Sequence, residues 1–205
     1  MYLLFNLGDI MYEKLAIRLT DFFINKNIIK KEERDIYAYG YEVLISQIVY
    51  IVIMLIISIV FGAVFESIVF FIGFYFFRNI AGGYHASTYI KCHLIFGINH
   101  LLFLLLIIFY PNKYIFVFNL IATSITSVIT FICAPVDHPN KKFGLREFKR
   151  YKRLSRGFSM LLMLLVSAIC FLDNNNTSFF CFSVGTLSAS ISLMYAFIER
   201  RLCNA

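Results

Sequence analysis

Long apolar stretches separated by short polar breaks dominate the sequence from residue 43 onward. A hydrocarbon core about 30 Å thick needs roughly 20 residues at a rise of about 1.5 Å each, so stretches of this kind predict membrane-spanning helices. Glu66 is expected to mark the turn between the first two stretches. The second stretch is short and fits a tilted span and a re-entrant segment equally well. The pattern predicts an all-α polytopic membrane protein with six transmembrane helices, at residues 43–65, 67–77, 94–110, 114–134, 158–172 and 179–198.

The first 42 residues follow a different pattern, which predicts an N-terminal amphipathic helix at the membrane surface. Apolar residues recur at helical spacing along one side, and most charged residues fall on the other side. The apolar side consists of Met11, Leu15, Leu19 and Phe22. A cytosolic helix hairpin is the alternative for this segment. The expected organisation is an interfacial segment at residues 1–42 followed by a transmembrane domain at residues 43–205.

Composition supports the membrane assignment and excludes several other classes of protein. Of the 205 residues, 60% are hydrophobic and only 15% are charged, against roughly 25% charged in an ordinary soluble domain. Such a chain has more apolar surface than one soluble core of this length can bury, and disordered or nucleic-acid-binding classes do not fit. The net charge of +7 is a local feature, because 8 of the 19 basic residues lie within residues 141–156. The five cysteines show no paired short spacing and predict no disulfide framework.

The placement of basic residues predicts the orientation in the membrane. Lys and Arg in short loops stay on the cytoplasmic side far more often than not. If the basic loop at residues 136–157 lies on that side, residues 78–91 and the C-terminal Arg200 and Arg201 lie there too, and Lys113 alone faces outward. Both termini are therefore predicted to be cytoplasmic.

A polar segment at residues 78–92, between the second and third predicted spans, concentrates the reactive side chains. Gly82 and Gly83 break any helix there and permit a positive φ, so His85 follows a flexible or sharply turned stretch. The segment is therefore the candidate active site, on the cytoplasmic face.

Cys92 is the second reactive group of this segment. Ser87 or Thr88 is expected to cap the third span. If Ser87 is the cap, Cys92 lies a little over one turn inside that helix, near its positive end, where a thiolate is favoured. On one continuous helix His85 and Cys92 would stand about 10.5 Å apart along the axis, too far for a hydrogen bond, so the chain must leave the helix between them. A cysteine activated by a neighbouring histidine is a nucleophile for acyl transfer.

The pattern of these polar residues, considered by itself, also fits other interpretations. Cys92 at the mouth of a helix also fits a packing role, and a metal site built from His85, Cys92 and His93 is a weaker alternative. His100 fits an interhelical hydrogen bond better than a functional site. Small and hydroxyl residues on two spans fit helix packing better than a substrate groove. They are Asn119, Thr123, Thr126, Ser127 and Thr130 on the fourth span, and Gly185, Ser188, Ala189 and Ser192 on the last.

At Arg78, Gly82, Gly83, His85 and Cys92 the sequence resembles the accessory gene regulator protein B family, membrane cysteine endopeptidases that process quorum-sensing propeptides. The shared pattern is an arginine, three residues, a glycine pair, one residue, a histidine, six residues and a cysteine. The chain length, the several spans, the predicted cytoplasmic termini and the basic loop after the fourth span match the family as well. The resemblance extends over nearly the whole chain.

The resemblance implies a reaction and the residues that perform it. Cys92 is expected to be the nucleophile and His85 its base. The enzyme would cleave the C-terminal part of a small propeptide through a Cys acyl-enzyme and promote its cyclisation to a (thio)lactone autoinducing-peptide precursor. Arg78 is expected either to bind a substrate carboxylate or to hold the loop, and backbone N–H groups near Gly82 and Gly83 are candidate oxyanion donors. No cofactor and no metal ion is implied.

The resemblance also implies partners and a location. The enzyme is expected in the bacterial cell membrane, and its substrate is expected to be a propeptide similar to the family's protein D, with an amphipathic N-terminal helix. Lys141 and Lys142 in the basic loop are candidates to receive the acidic tail of that substrate, and anionic lipid headgroups explain the same charges equally well. A homodimer is expected, with the N-terminal helix and the last span as contacts, and no nucleic acid is a partner.

Two functions from other classes are the alternatives. A small membrane transporter or sensor without covalent chemistry would use the polar fourth span as its pathway, although the sequence has no inverted repeat and no paired intramembrane carboxylates. A metal-dependent intramembrane protease would lose activity to a chelator alone.

Overall fold

The computed structural model describes residues 2–84, 86, 88–110, 112–136, 144–172 and 176–203. At residues 2–9, 112, 169–172 and 203 it describes the backbone and not the side chain. Throughout these residues the chain forms α-helices joined by short turns, and no strand occurs among them. The prediction of an all-α protein is therefore confirmed. The helices are α1 (Tyr2–Asn25), α2 (Arg34–Val60), α3 (Val64–Ala81), α4 (Tyr89–Phe109), α5 (Ile115–Cys133), α6 (Leu145–Leu172) and α7 (Thr177–Cys203).

Among the described residues, five helices are long and apolar enough to cross a membrane: α2, α3, α4, α5 and α7. They correspond to five of the six predicted spans, although α2 begins well before residue 43. The remaining predicted span, residues 158–172, is the second half of α6. The chain is thus a multi-pass membrane protein.

The turn between the first two spans lies elsewhere than predicted. Glu66 was expected to mark this turn, but it lies in the first turn of α3. The break falls at Gly62, whose φ of 66° is favourable for glycine and strained for other residues. α3 therefore has 18 residues, about 27 Å of helix, which is long enough for a membrane span.

The predicted basic loop at residues 136–157 is helical over much of its length. α6 begins at Leu145 and continues for 28 residues without a break. Its charged residues had suggested a loop, but Leu, Arg, Glu and Lys are good helix formers, and no proline interrupts them. Glu147 completes the start of the helix, because its carboxylate accepts a hydrogen bond from the Gly144 N–H at 3.1 Å.

The chain divides into two compact units, and the first comprises Met1–Val60 and Ala86–His100. Within it α1 buries a narrow face at Tyr12, Ala16 and Thr20, at the four-residue spacing of a helix face. α1 also joins α2 through Asp21, whose two carboxylate oxygens accept hydrogen bonds from Arg34 at 2.8 and 3.1 Å. This hydrogen-bonded arginine holds the pKa of the Asp21 carboxyl below its ordinary value.

The apolar side predicted for α1 is not the side that packs in this unit. Met11, Leu15 and Phe22 are 53%, 43% and 54% exposed. The predicted helix is therefore present, with its apolar residues facing outward. Its location at the membrane surface stays a prediction.

The second unit comprises Phe61–His85 and Leu101–Ala205, and its α3 and α7 pack most closely. Two glycines allow this contact: a Cβ on Gly73 would lie 2.6 Å from the Phe182 carbonyl oxygen, and one on Gly185 would overlap the Phe70 carbonyl oxygen. Small residues thus mediate helix packing on α7, as predicted. Gly185 and Ala189 pack within this unit, and the homodimer with its contacts stays a prediction.

The polar residues of α5 are also packed inside the second unit. Asn119, Thr123, Thr126 and Thr130 are at most 1% exposed, and α5 contacts both α6 and α7. Thr123 and Thr130 donate to the carbonyl oxygens four residues earlier, at 2.7 and 2.6 Å, a common way for hydroxyls to be satisfied in a helix. The predicted packing role of these residues is therefore confirmed.

Candidate active site

The predicted site residues that the structure describes fall in two short segments, and each segment belongs to a different unit. The glycine segment, residues 78–84, belongs to the second unit, and the cysteine segment, residues 88–93, belongs to the first. The structure brings Arg78, Gly82 and Gly83 together in the glycine segment. His85, Lys141 and Lys142 lie outside the described residues.

Gly82 ends α3, as the sequence predicted. Its φ of 87° and ψ of −170° lie in a region that is essentially restricted to glycine. A Cβ at this position would overlap the Val136 carbonyl oxygen. Val136 is also hydrogen-bonded to the end of α3, because its N–H donates to the Ala81 carbonyl oxygen at 3.2 Å. The Gly82 N–H donates to the Arg78 carbonyl oxygen at 2.9 Å, so it is already engaged and is not a candidate oxyanion donor.

Tyr84, the last described residue before His85, is held at three points. Its carbonyl oxygen accepts a hydrogen bond from Arg78 Nη2 at 2.6 Å, and its N–H donates to Ser192 Oγ at 3.1 Å. Its ring meets the ring of Tyr195 edge to face, with centroids 4.8 Å apart. Of the two roles expected for Arg78, this contact supports holding the loop.

Gly83 gives room for two of these contacts. It is buried, and a Cβ there would lie 3.2 Å from Ser192 Oγ and 3.6 Å from Arg78 Cγ. A side chain at this position would press on the hydroxyl that binds the Tyr84 N–H. The glycine pair therefore has two distinct functions: Gly82 makes the turn, and Gly83 admits the groups that hold Tyr84.

Thr88, one of the two residues predicted as caps, does cap α4. Its Oγ1 accepts a hydrogen bond from the Lys91 N–H at 3.3 Å, which satisfies one of the free donors of the helix start. Ser87, the other predicted cap, lies outside the described residues. Cys92 is half-buried, and its N–H donates to the Thr88 carbonyl oxygen at 3.1 Å. Cys92 thus lies one turn inside the helix, as predicted.

Aromatic rings surround the turn that carries Cys92. The Tyr12 ring on α1 meets Tyr89 edge to face with centroids 5.7 Å apart, and meets His93 in the same way at 6.0 Å. His93 also stacks on Tyr50 at 5.5 Å, and its Nε2 lies 3.0 Å from the hydroxyl oxygen of the buried Ser46. These contacts give His93 a structural role in the packing of three helices.

A further polar candidate, His100, has a packing role. His100 is fully buried, and its Nε2 lies 3.5 Å from Ser58 Oγ on α2, which confirms the expected interhelical contact.

No group of three or more His, Cys, Asp or Glu side chains that could hold a metal ion occurs within the described part of the chain.

Sequence reasoning did not identify the residues that hold the two segments. Ser192 was included among the small residues of the last span, but nothing in its spacing distinguished it from its packing neighbours. Tyr84 stands between the glycine pair and His85, a position that could have indicated a fixed residue. Tyr12 lies beside the apolar side of α1 rather than on it, and its partner His93 is 81 positions away in the sequence.

Comparison with protein-family models matches residues 16–193 to accessory gene regulator B. No curated protein and no solved structure gives a significant match to the chain. The family match covers most of the 205 residues and includes both segments of the candidate site. The chain therefore belongs to the accessory gene regulator B family, and as a multi-pass membrane protein of that family it takes part in processing a quorum-sensing peptide.

Proposed function

We propose that the chain is a cysteine endopeptidase that cleaves the C-terminal part of a small quorum-sensing propeptide, with Cys92 as the nucleophile and His85 as its general base. The observation that carries this proposal is the fixed position of Tyr84, the residue directly before His85. A general base must be positioned within about 3 Å of the proton that it removes, and a backbone fixed at residue 84 supports such a role.

The environment of Cys92 supports its choice as the nucleophile. It is half-buried in the first turn of α4, near the positive end of the helix dipole, which favours a thiolate. Cys133 and Cys181, the other cysteines whose side chains are described, are 6% and 0% exposed in the core of the second unit. A substrate carbonyl cannot reach them without disrupting that core.

The reaction follows from these two groups. His85 accepts the proton of the Cys92 thiol, and the thiolate attacks the scissile carbonyl carbon to form a C–S bond. The tetrahedral intermediate then breaks its C–N bond, and His85 returns the proton to the leaving amine. The C-terminal fragment departs with a new amino terminus, and the remaining peptide stays bound to Cys92 as a thioester.

Cyclisation is the second half of the proposed reaction. A thiol within the bound peptide attacks the thioester carbon, the bond to Cys92 breaks, and the proton of the attacking thiol passes to the Cys92 sulfur. The acyl group moves from one sulfur to another, so the exchange is nearly balanced in free energy. An ester to a serine would make thiolactone closure unfavourable, which explains the use of cysteine.

Gly83 is the proposed oxyanion donor of the glycine pair. Because the Gly82 N–H is engaged with the Arg78 carbonyl oxygen, the proposal is limited to the next peptide group. Preorganised N–H donors of this kind stabilise the charge that develops on a carbonyl oxygen during acyl transfer.

We also propose that the start of α6 binds the acidic tail of the propeptide. Four exposed basic residues there recur at helical spacing and form one stripe: Arg146, Lys149, Arg150 and Arg153. Lys141 and Lys142 precede this stripe in the sequence. In an Arg150→Glu variant we expect weaker cleavage of the full propeptide and unchanged cleavage of a propeptide without its acidic tail. An equal loss with both substrates would instead support binding of anionic lipid headgroups.

The proposal also includes the location and the oligomeric state of the protein. We expect the protein in the bacterial cell membrane as a homodimer, with the site at the cytoplasmic face. The exposed apolar residues of α1, Met11, Leu15 and Phe22, support a helix that lies at the membrane surface beside the amphipathic helix of the substrate.

The test is cleavage of a co-expressed propeptide by single-site variants. Cys92→Ala and His85→Ala are expected to abolish cleavage, while the matched control Cys133→Ala retains it, because Cys133 only packs in the core. Normal processing by Cys92→Ala would sink the proposal, because cleavage would then not depend on this thiol. Inhibition by a chelator, with no effect of thiol alkylation, would favour a metal-dependent protease.

A further inference from the structure

We propose that Ser192 on α7 is a positioning residue for this reaction, acting through Tyr84 on the backbone that carries His85. The inference rests on the proposed function and deepens it. Ser192 lies 108 positions from Tyr84 in the sequence, and its Oγ accepts the Tyr84 N–H at 3.1 Å. It therefore ties the glycine segment to the last helix.

The two hydrogen bonds to Tyr84 act on opposite sides of its Cα. The N–H bound by Ser192 belongs to the peptide plane before Tyr84, and the carbonyl bound by Arg78 belongs to the plane after it. A residue has only two soft dihedral angles, and they relate these two planes. Holding both planes sets φ and ψ of Tyr84, and the second plane leads directly into residue 85.

The surroundings of Ser192 distinguish it from the packing residues on the same helix. Ala189 and Leu193 are fully buried in the cluster that also contains Phe77. Ser192 is only half-buried, and its hydroxyl occupies the space beside Gly83, where a Cβ would lie 3.2 Å away. The absence of a side chain at Gly83 and the hydroxyl of Ser192 therefore form one arrangement.

The ring of Tyr84 provides a third contact that holds this residue against α7. It meets the Tyr195 ring edge to face at 4.8 Å, and Tyr195 lies three residues after Ser192 on the same side of α7. One face of α7 thus contacts both the backbone and the side chain of Tyr84. This arrangement accounts for a polar residue at position 192 better than helix packing alone.

The experiment compares Ser192→Ala, Ser192→Thr and Ser192→Val in propeptide cleavage by purified enzyme in lipid vesicles. Loss of one intramolecular hydrogen bond is expected to lower kcat about tenfold in Ser192→Ala, with KM within about twofold of the wild type. Threonine and valine have the same shape, so Ser192→Thr is expected to exceed Ser192→Val in kcat by a similar factor. The matched control is Ser188→Ala, one turn earlier on α7, with wild-type kcat.

A second measurement separates positioning from folding. The rate at which iodoacetamide alkylates Cys92 is followed against pH by mass spectrometry of the Cys92 peptide. In Ser192→Ala the pH of half-maximal rate is expected to rise, because a displaced His85 supports the thiolate less well. Wild-type kcat in Ser192→Ala, or equal losses in the threonine and valine variants with an unchanged alkylation profile, would overturn the inference.

The outcome is distinguishable from failure of the proposed function. If Cys92→Ala and His85→Ala still cleave the propeptide, the proposed function fails. If both variants are inactive and Ser192→Ala has wild-type kcat, the proposed function stands and the role of Ser192 is wrong.

Discussion

The glycine segment and the cysteine segment are held by different kinds of interaction. In the glycine segment, hydrogen bonds from Arg78 and to Ser192 fix the backbone of Tyr84 directly. In the cysteine segment, the ring of Tyr12 packs against side chains of α4, including His93. Hydrogen bonds weaken steeply as their angles change, whereas edge-to-face ring pairs tolerate a range of centroid distances.

This difference predicts different sensitivities to substitution. A change in the glycine segment alters the direction of the chain that leads into His85, and small errors in direction are costly for a general base. A change in the cysteine segment loosens a turn of helix that its own backbone bonds still hold. We therefore expect larger losses of activity from the glycine segment.

Gly82→Ala is expected to have the largest effect outside the dyad. Its backbone conformation is costly for any residue with a Cβ, and the new methyl group would overlap the Val136 carbonyl oxygen. A conformational cost of about 1–3 kcal/mol together with this overlap predicts a fall in cleavage of about 100-fold or more. The measurement is kcat/KM on the purified propeptide.

The matched control is Gly40→Ala, because Gly40 lies inside α2 with no atom within 4 Å of its added Cβ. Alanine favours a helix relative to glycine, so this variant is expected to keep wild-type activity. Similar activity in both variants would show that the turn at Gly82 does not control the reaction.

The features predicted correctly are those that depend on neighbours in the sequence. The end of α3 follows from the glycine pair, and the cap at Thr88 follows from residue types at a helix start. Apolar length predicts most of the spans. The turn at Gly62 was missed because the charged residue Glu66 was given more weight than this glycine, whose φ the structure shows to be positive.

The features that were missed depend on distant parts of the chain. Ser192 contacts Tyr84 across 108 positions, and one serine in a row of small residues carries no sign of its partner. Tyr12 is similar, because its contact with α4 requires the packing of α1 to be known. The start of α6 was missed for another reason: a cluster of like charges suggested a loop, yet the same residues form an exposed helix.

Arg78→Ala is expected to have the next largest effect. It removes the donor that holds the Tyr84 carbonyl oxygen at 2.6 Å. A hydrogen bond from a charged group contributes about 1.5–3 kcal/mol, which predicts a fall in kcat of roughly 10- to 100-fold. Arg78→Lys is expected to recover only part of this loss, because a single ammonium lacks the planar fork of arginine.

The kinetic constants decide between the two roles considered for Arg78. A role in holding the loop lowers kcat and leaves KM nearly unchanged. A rise in KM with unchanged kcat would instead assign Arg78 to binding a substrate carboxylate. Arg18→Ala, which removes an exposed charge from α1, is the control and is expected to leave both constants unchanged.

Tyr12→Ala tests the cysteine segment and is expected to have an intermediate effect. It removes the ring that contacts both Tyr89 and His93. Each edge-to-face pair contributes about 0.5–1.5 kcal/mol. Because the backbone hydrogen bonds of α4 still hold the turn, we expect about 1 kcal/mol of this to reach the reaction, so that cleavage falls about five- to tenfold. Tyr12→Phe retains the ring and is expected to be more active than Tyr12→Ala. Equal losses in the two variants would contradict a role for ring packing.

Thr88→Ala is expected to have the smallest effect. The capping hydrogen bond to the Lys91 N–H is exposed and long, at 3.3 Å, so its loss is expected to cost about 0.5–1 kcal/mol. Fraying of the first turn would then reduce the population with Cys92 in position and lower kcat about two- to fivefold. Thr88→Ser keeps the hydroxyl and is expected to stay within about twofold of the wild type. A loss in Thr88→Ala as large as that in Gly82→Ala would reverse the comparison, because the cysteine segment would then need the more exact geometry.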